Sequence, residues 1–495
     1  MAMVSAGVSG EGARSAANRT TEPPLEAEPH ELSIQQAAGS GPRRLAIALT
    51  VAVVGAHYAA VADLPFLSED YTVLAAAASM DVGACFELSR PPLRPLHDLF
   101  FLALQRGDLA PWLARVPGYF MYVLCAALVW RLAAMLGAAP RRQLAALALF
   151  LAYPAAVSLS WVAAVSTLGR TTFLLLALCA LLTHLRQPRA TTGATAVASF
   201  VLALAWHQAA LAFAAWALAL PACDRSLRRR AWTDPWVWSI ALVAIGYAAL
   251  LAMLSPSERH HGVKQLGAIL ANVPRAALAF APEQARWIAI DGLRGKLDLF
   301  GVAFAVALLG ATLWAAAWVW RHTQTLARAL LICVGCDFIL PVLVTGFVMR
   351  YAGLGSALVA VVLATCARTR VAIGAISLLG LTWALAHARE LRDVRTAGAT
   401  VDAIVHATDV ARQAAGPDAL LHIIDPPGFI GRERDVPVFN WGLTQALRRS
   451  GLGERYWVVR TVDYVTSSDI EKVTPAAAAA LTPSVDWHGL RAVRE

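Results

Sequence analysis

Apolar sequence recurs along this chain in about ten runs, near residues 44–62, 112–136, 143–159, 165–184, 193–222, 235–254, 299–320, 328–348, 351–367 and 371–387. All but one hold about 17–25 residues, the length a helix needs to cross a hydrocarbon layer about 30 Å thick. The exception, 193–222, is too long for one span and short for two. Arg186 and Arg189 precede it, and Arg225, Arg228, Arg229 and Arg230 follow it. Its two ends are therefore expected on one side, as a short re-entrant hairpin with Trp206-His207-Gln208 at the tip. Such a break is tolerated at membrane depth only where it is buried in protein or lines a cavity. Counted as two segments, it brings the total to about eleven. The expected fold is mainly α: a polytopic membrane protein with its N-terminus inside and its C-terminus outside.

Arginine clusters set that orientation. Arg43 and Arg44, Arg131 with Arg141 and Arg142, Arg321 and Arg328, and Arg368 and Arg370 fall in short loops on the same side as those already named. Positive loops stay cytoplasmic. The polar tail 1–42 has no apolar run and is expected to be disordered, with no cleavable signal ahead of the first span. The segments 63–111 and 255–298 and everything after about 388 then share the outer face. Residues 43–387 form the transmembrane domain.

Composition agrees with this reading. The 495 residues are 58% hydrophobic and 15% charged, with mean hydropathy +0.56. The net charge of +9 does not point to nucleic acid, because the cations are nearly all arginines in topology loops and Lys264, Lys296 and Lys472 are the only lysines. Of the seven cysteines, Cys333 and Cys336 have C-x-x-C spacing, but within LLICVGCDFIL they read as small apolar helix residues. His260-His261 sit in a polar loop and read as solvated. No metal site is expected.

Polar chemistry gathers in the outer segments. FLSEDYTVL places Glu69 and Asp70 side by side just after the first run, with Tyr71, Leu74 and Ala78 at helical spacing. Adjacent acids near lipid repel and are poorly solvated, so they are either plain loop charges or a requirement of the site. Arg90 and Arg94 follow in the same segment, each before a proline. Arg350, in VMRYAG, interrupts two apolar runs, and an arginine there faces a cavity or a partner. The alternative is a side chain reaching back to the interface.

In order and spacing these residues resemble the integral-membrane C-type glycosyltransferases, which include the protein O-mannosyltransferases. The matching positions are Glu69-Asp70-Tyr71, Arg94-Pro95-Leu96, Pro154 and Trp161 with Arg170, and Arg350-Tyr351, within roughly residues 44–370. There are departures. His207-Gln208 stands where relatives often have Lys-Glu, and Thr172 where an acid often follows the arginine. The resemblance implies a sugar on a polyprenyl phosphate as donor, an acceptor glycan, lipid or protein on the outer face of a bacterial inner membrane, and inversion at the sugar. It implies no cofactor and no nucleic-acid partner. Asp70 is the favoured base with Glu69 in support. Arg350, Tyr351 and Arg94 are expected on the donor phosphate, and Tyr71, Arg170, His207 and Gln208 along the cavity. A transporter or flippase of a lipid-linked glycan, with His57 and Asp337 as its midplane charges, and a non-catalytic envelope scaffold remain as alternatives.

From 388 to 495 the composition is that of a small soluble α/β unit. ALLHIID, ended by DPPG, and RYWVVRTV read as strands, and NWGLTQALRRS as a helix. Asp425, Arg432, Glu433, Arg434 and Asp435 are loop charges within reach of an acceptor, or parts of a structural cap.

Overall fold

The computed structural model describes residues 29–87, 94–223, 232–254, 299–322, 325–340, 352–366 and 369–427, with shorter stretches between 273 and 288, residue 342, and parts of 429–485. The chain is an integral membrane protein. Among the described residues six helices are long and apolar enough to cross a membrane: Gly41–Val61, Pro111–Met135, Val162–Arg186, Pro235–Met253, Val302–Arg321 and the apolar part of Arg370–Ala415. The first belongs to helix α1 (Pro29–Val61), which begins inside the segment expected to be a tail. ELSIQQAA suits a helix, and an existing helix extends through it without a new nucleus.

Of the roughly eleven segments expected, two of them the short halves of 193–222, the described residues hold these six at spanning length and shorter apolar helices at Ala190–Trp206, Gln208–Leu220 and Gly353–Cys366. The run 143–159 stops at Tyr153-Pro154, because a residue before proline is pushed out of the helical region, leaving α5 (Pro140–Ala152) and a short α6 (Ala156–Ser160). The run 193–222 does break where expected. Helix α8 (Ala190–Trp206) ends at His207, which is extended at φ −161° and ψ 127°, and the chain resumes as a 3-10 turn and α9 (Ala212–Cys223). The remaining bundle helices are α2 (Glu69–Ala78), α3 (Pro95–Arg106), α4 (Pro111–Met135), α7 (Val165–Arg186), α10 (Pro235–Leu254), α11 (Leu299–His322), α12 (Thr325–Leu340) and α13 (Gly353–Cys366).

Helix α7 is the centre of the bundle, buried along most of its length between α4 and α8, whereas α11 presents Trp314, Trp318 and Trp320 outward as a lipid-facing surface. Close approach of α7 and α8 depends on Gly169. A Cβ there would lie 2.5 Å from the indole of Trp206, so any side chain would push the broken end of α8 aside. One residue on, Arg170 is 0% exposed and its Nη1 meets Asp337 Oδ1 of α12 at 3.2 Å. Arg170 therefore does not line an open cavity as expected from the sequence. Desolvation on both sides makes the pair the cheaper arrangement for either charge.

Helix α14 (Arg370–Ala415) runs unbroken for 46 residues, about 69 Å at 1.5 Å per residue. The Thr369 hydroxyl caps it by accepting from the Ala372 N–H at 3.1 Å, and Gly416, at φ 88°, ends it. Its first part is apolar and its second part buries Val394, Ala397, Val401 and Ile404. Gly398 lets it close on Leu64, whose Cδ2 would stand 2.8 Å from an added Cβ. Beyond Gly416 lies a parallel sheet of β1 (Leu421–Ile424), β4 (Tyr456–Arg460), β5 (Ile470–Lys472) and β6 (Ser484–Val485) in the order β5-β4-β1-β6. An antiparallel pair, β2 (Phe429–Ile430) and β3 (Val436–Pro437), and helix α15 (Leu443–Arg449) lie between β1 and β4.

Removing one partner of the Arg170–Asp337 pair leaves a charge without its counterion in the bundle, a loss of about 3–5 kcal/mol. Asp337→Ala is expected to abolish the monodisperse detergent-solubilised peak on size exclusion. The reversed pair, Arg170→Asp with Asp337→Arg, is expected to restore part of it.

Candidate functional site

The sheet-bearing end of the bundle is organised around two buried charges of opposite sign. Arg115, four residues into α4, is 2% exposed. Its Nε donates to the Ser160 carbonyl at 2.7 Å, Nη1 to the Leu64 carbonyl at 2.8 Å and Nη2 to the Pro65 carbonyl at 2.6 Å. Asp70 is 0% exposed and does the converse. Its carboxylate accepts from the Leu67 N–H at 3.0 Å, the Ala163 N–H at 2.6 Å and, more loosely, the Val162 N–H at 3.4 Å. The cation collects carbonyls and the anion collects amides from the same two segments, 64–67 and 160–163. Backbone groups that have left a helix need such partners when buried.

This staple fixes the start of α2. Ser68, its N-cap, has φ 39°, a conformation in which few non-glycine residues settle. Glu69 and Asp70 then occupy the first turn, where a helix favours negative charge. The two side chains part company. Asp70 turns into the protein, while Glu69 is half-buried at the surface of the turn. Burial pushes the Asp70 carboxyl up to about 7, against the opposing pull of its backbone donors and of Arg115. Burial likewise raises the Tyr71 hydroxyl, which packs edge-on to Phe66 with ring centres 6.0 Å apart.

A second cluster lies on α3, which packs against both α2 and α8. Arg94 caps α3, with Pro95 at its first position, and its Nε donates to Gln208 Oε1 at 2.7 Å across 114 residues of sequence. Two residues singled out separately in the sequence thus meet. His207 lies beside them, 4% exposed, and its Nδ1 accepts from the Ala209 N–H at 3.1 Å, which stabilises the helix break. Arg350 and Tyr351 lie outside the described residues.

Sequence reasoning missed Arg115. One arginine near the start of a span looks the same as a topology charge, and nothing local shows that its partners are carbonyls some 45 to 51 residues away. His387 was missed also. Its ring stands 5.2 Å from that of His57, whose Nδ1 is 2.5 Å from the Tyr119 hydroxyl, one turn beyond Arg115. A small cavity next to the stapled segment is lined by Tyr122, Tyr153, Ser158, Thr167, Thr171 and Ser356.

The C-terminal unit sits directly on this region. The Ser68 N–H donates to the Val438 carbonyl at 3.0 Å. Arg449, at the end of α15, donates to Asp108 Oδ1 at 3.0 Å and Gln105 Oε1 at 3.2 Å, and its guanidinium lies 5.4 Å from the centre of the Phe66 ring.

No family model and no curated protein matches the chain. Among solved structures, the crystal structure of ArnT from Cupriavidus metallidurans bound to undecaprenyl phosphate is similar at 16% identity and a TM-score of 0.38, over 86% of this chain and 87% of that one. Similarity at that level assigns neither a fold nor a residue's role.

An acid whose carboxyl is raised in the folded state favours folding most when it is protonated. Stability from Asp70 is therefore expected to be full below about pH 4, to fall as the pH rises toward 7, and to level off above it. Thermal unfolding in detergent at pH 5, 6, 7 and 8 measures this. Asp70→Asn, which keeps the shape but cannot ionise, is expected to flatten that part of the profile while lowering the midpoint throughout, because its amide faces backbone donors.

Proposed function

We propose that this chain is a membrane glycosyltransferase of the C type, transferring a sugar from a polyprenyl-phosphate donor to an acceptor hydroxyl on the extracytoplasmic face. The observation that carries the reading is the pairing of a half-buried Glu69 with a stapled Asp70 in one turn of α2, with the Arg94–Gln208 contact at the start of the neighbouring helix α3. Cation and carboxylate are held on packed elements with little freedom to move. Such preorganisation is what transfer between two hydroxylated partners needs.

In this reading the acceptor hydroxyl attacks the anomeric carbon and gives its proton to a carboxylate. The bond from that carbon to the phosphate oxygen breaks, and the electron pair leaves with the polyprenyl phosphate. Attack opposite the leaving group inverts the sugar. Geometry favours Glu69 as the base, the reverse of the order expected from the sequence. Asp70 already holds up to three backbone amides and is sealed from solvent, so it serves to position the turn. Arg94, with Gln208 holding its guanidinium, is the described cation for the departing phosphate, and Arg350 and Tyr351 are proposed to join it. A bidentate guanidinium suits that charge.

The transporter reading has one observation on its side, the Arg170–Asp337 pair within the bundle. Both side chains are fully enclosed, however, and a pathway residue has to meet its cargo.

The test compares lipid-linked sugars and envelope glycans by mass spectrometry in cells lacking the protein and in cells complemented at equal protein level. Glu69→Gln is expected to lower transfer by about 10²–10⁴-fold. A polyprenyl-phosphate sugar should accumulate while one glycan loses a residue. Wild-type glycans in Glu69→Gln cells would reject the base. Wild-type glycans in the cells lacking the protein would reject the function.

A further inference from the structure

We infer that the carboxyl edge of the C-terminal sheet, at the end of β1, is the acceptor subsite of the proposed centre, that it takes a hydroxyl-rich saccharide, and that Asp425 orients it. The inference rests on the transferase reading.

Topology is the first ground. All four strands run parallel, and β1 is internal, with β4 on one side and β6 on the other. The chain leaves β1 for β4, and reaches the opposite neighbour, β6, only after β5. Connections that depart to opposite sides of a strand open a crevice at its carboxyl end, and open α/β sheets bind their ligands there. Asp425 is the residue at that point, directly after Ile424.

The second ground is the chemistry of the segment. Asp425 has φ 48° and precedes a proline, a combination in which the backbone is restricted from both sides. Pro426 and Pro427 have no N–H to offer. Asp425 is half-buried and is the one of these three residues with a polar side chain. One carboxylate accepting from neighbouring hydroxyls is an economical way to hold a sugar ring.

The third ground is where this edge lies. Helix α14 leads away from the bundle, Gly416 turns the chain, and β1 returns. The Phe439 N–H donates to the Pro427 carbonyl at 3.1 Å, and the neighbouring Val438 carbonyl accepts from Ser68 at 3.0 Å. Ser68 immediately precedes Glu69. Two hydrogen bonds therefore link the turn after β1 to the turn bearing the proposed base, and Arg449 holds the two units together on the same side.

The experiment uses full-length protein in lipid nanodiscs, with lipid-linked sugars extracted from cells lacking the protein as donor. Three acceptor fractions come from the same cells: solvent-extracted glycolipid, water-soluble glycan, and protein. Wild type is expected to transfer to the glycolipid or to the soluble glycan, and which of the two labels identifies the source of the saccharide. Asp425→Ala is expected to raise half-saturation for that fraction about tenfold and leave half-saturation for the donor unchanged. Asp425→Asn, which still bonds hydroxyls, should recover most of the loss. Unchanged acceptor half-saturation in Asp425→Ala overturns the inference, as does an equal change for donor and acceptor, which marks a structural role. Transfer by wild type to protein alone overturns the saccharide assignment. No transfer by wild type to any fraction means that the transferase reading itself has failed.

Discussion

Two buried ions that never touch a common ligand hold this end of the molecule together. Arg115 and Asp70 each lose water on burial, and bonds to backbone groups of the same two segments offset part of that loss. An apolar staple could pack these segments, but it could not satisfy the carbonyls and amides that helix ends leave behind. Each charge also stabilises the other through the shared backbone. Removing either one exposes the other to burial without a full set of partners, so the staple is expected to fail as a unit. Its consequence is the separation of Glu69 from Asp70: two adjacent acids become one enclosed anchor and one accessible carboxylate.

The long helix α14 extends the same rigidity outward. It carries a buried face past Leu64 to the sheet, and Gly398 sets how close it comes. With Ser68 bonded to Val438 and Arg449 spread over Asp108, Gln105 and Phe66, the C-terminal unit is fastened to the very turn that the staple defines. The Arg449–Asp108 pair is exposed on the aspartate side and is weak by itself. Its role is to orient parts that the backbone bond and the packing of α14 already hold.

Much of this was legible in the apolar pattern. Length and hydropathy marked the spans, and thirty residues between arginine clusters marked the break that the structure has at His207. A helical repeat after Glu69 marked α2, whereas the helix that begins at Pro95 was not read from the sequence. What stayed illegible was pairing across distance. Apolarity does not say that 143–159 stops at Pro154, because proline within an apolar run can also kink a helix without ending it. Nor does it say that Arg170 finds Asp337, or that Arg115 finds carbonyls rather than water. Asp70 and Glu69 look interchangeable in sequence, and the backbone amides of residues 67, 162 and 163 tell them apart.

Hydrogen exchange at the Leu67, Val162 and Ala163 amides, read by mass spectrometry on the protein in nanodiscs, tests the staple most directly. The account predicts strong protection of all three in the wild type and its joint loss in Asp70→Ala and in Arg115→Met, although Arg115 bonds none of these amides. Protection that survives in Arg115→Met, or amides that open independently of one another, would contradict it.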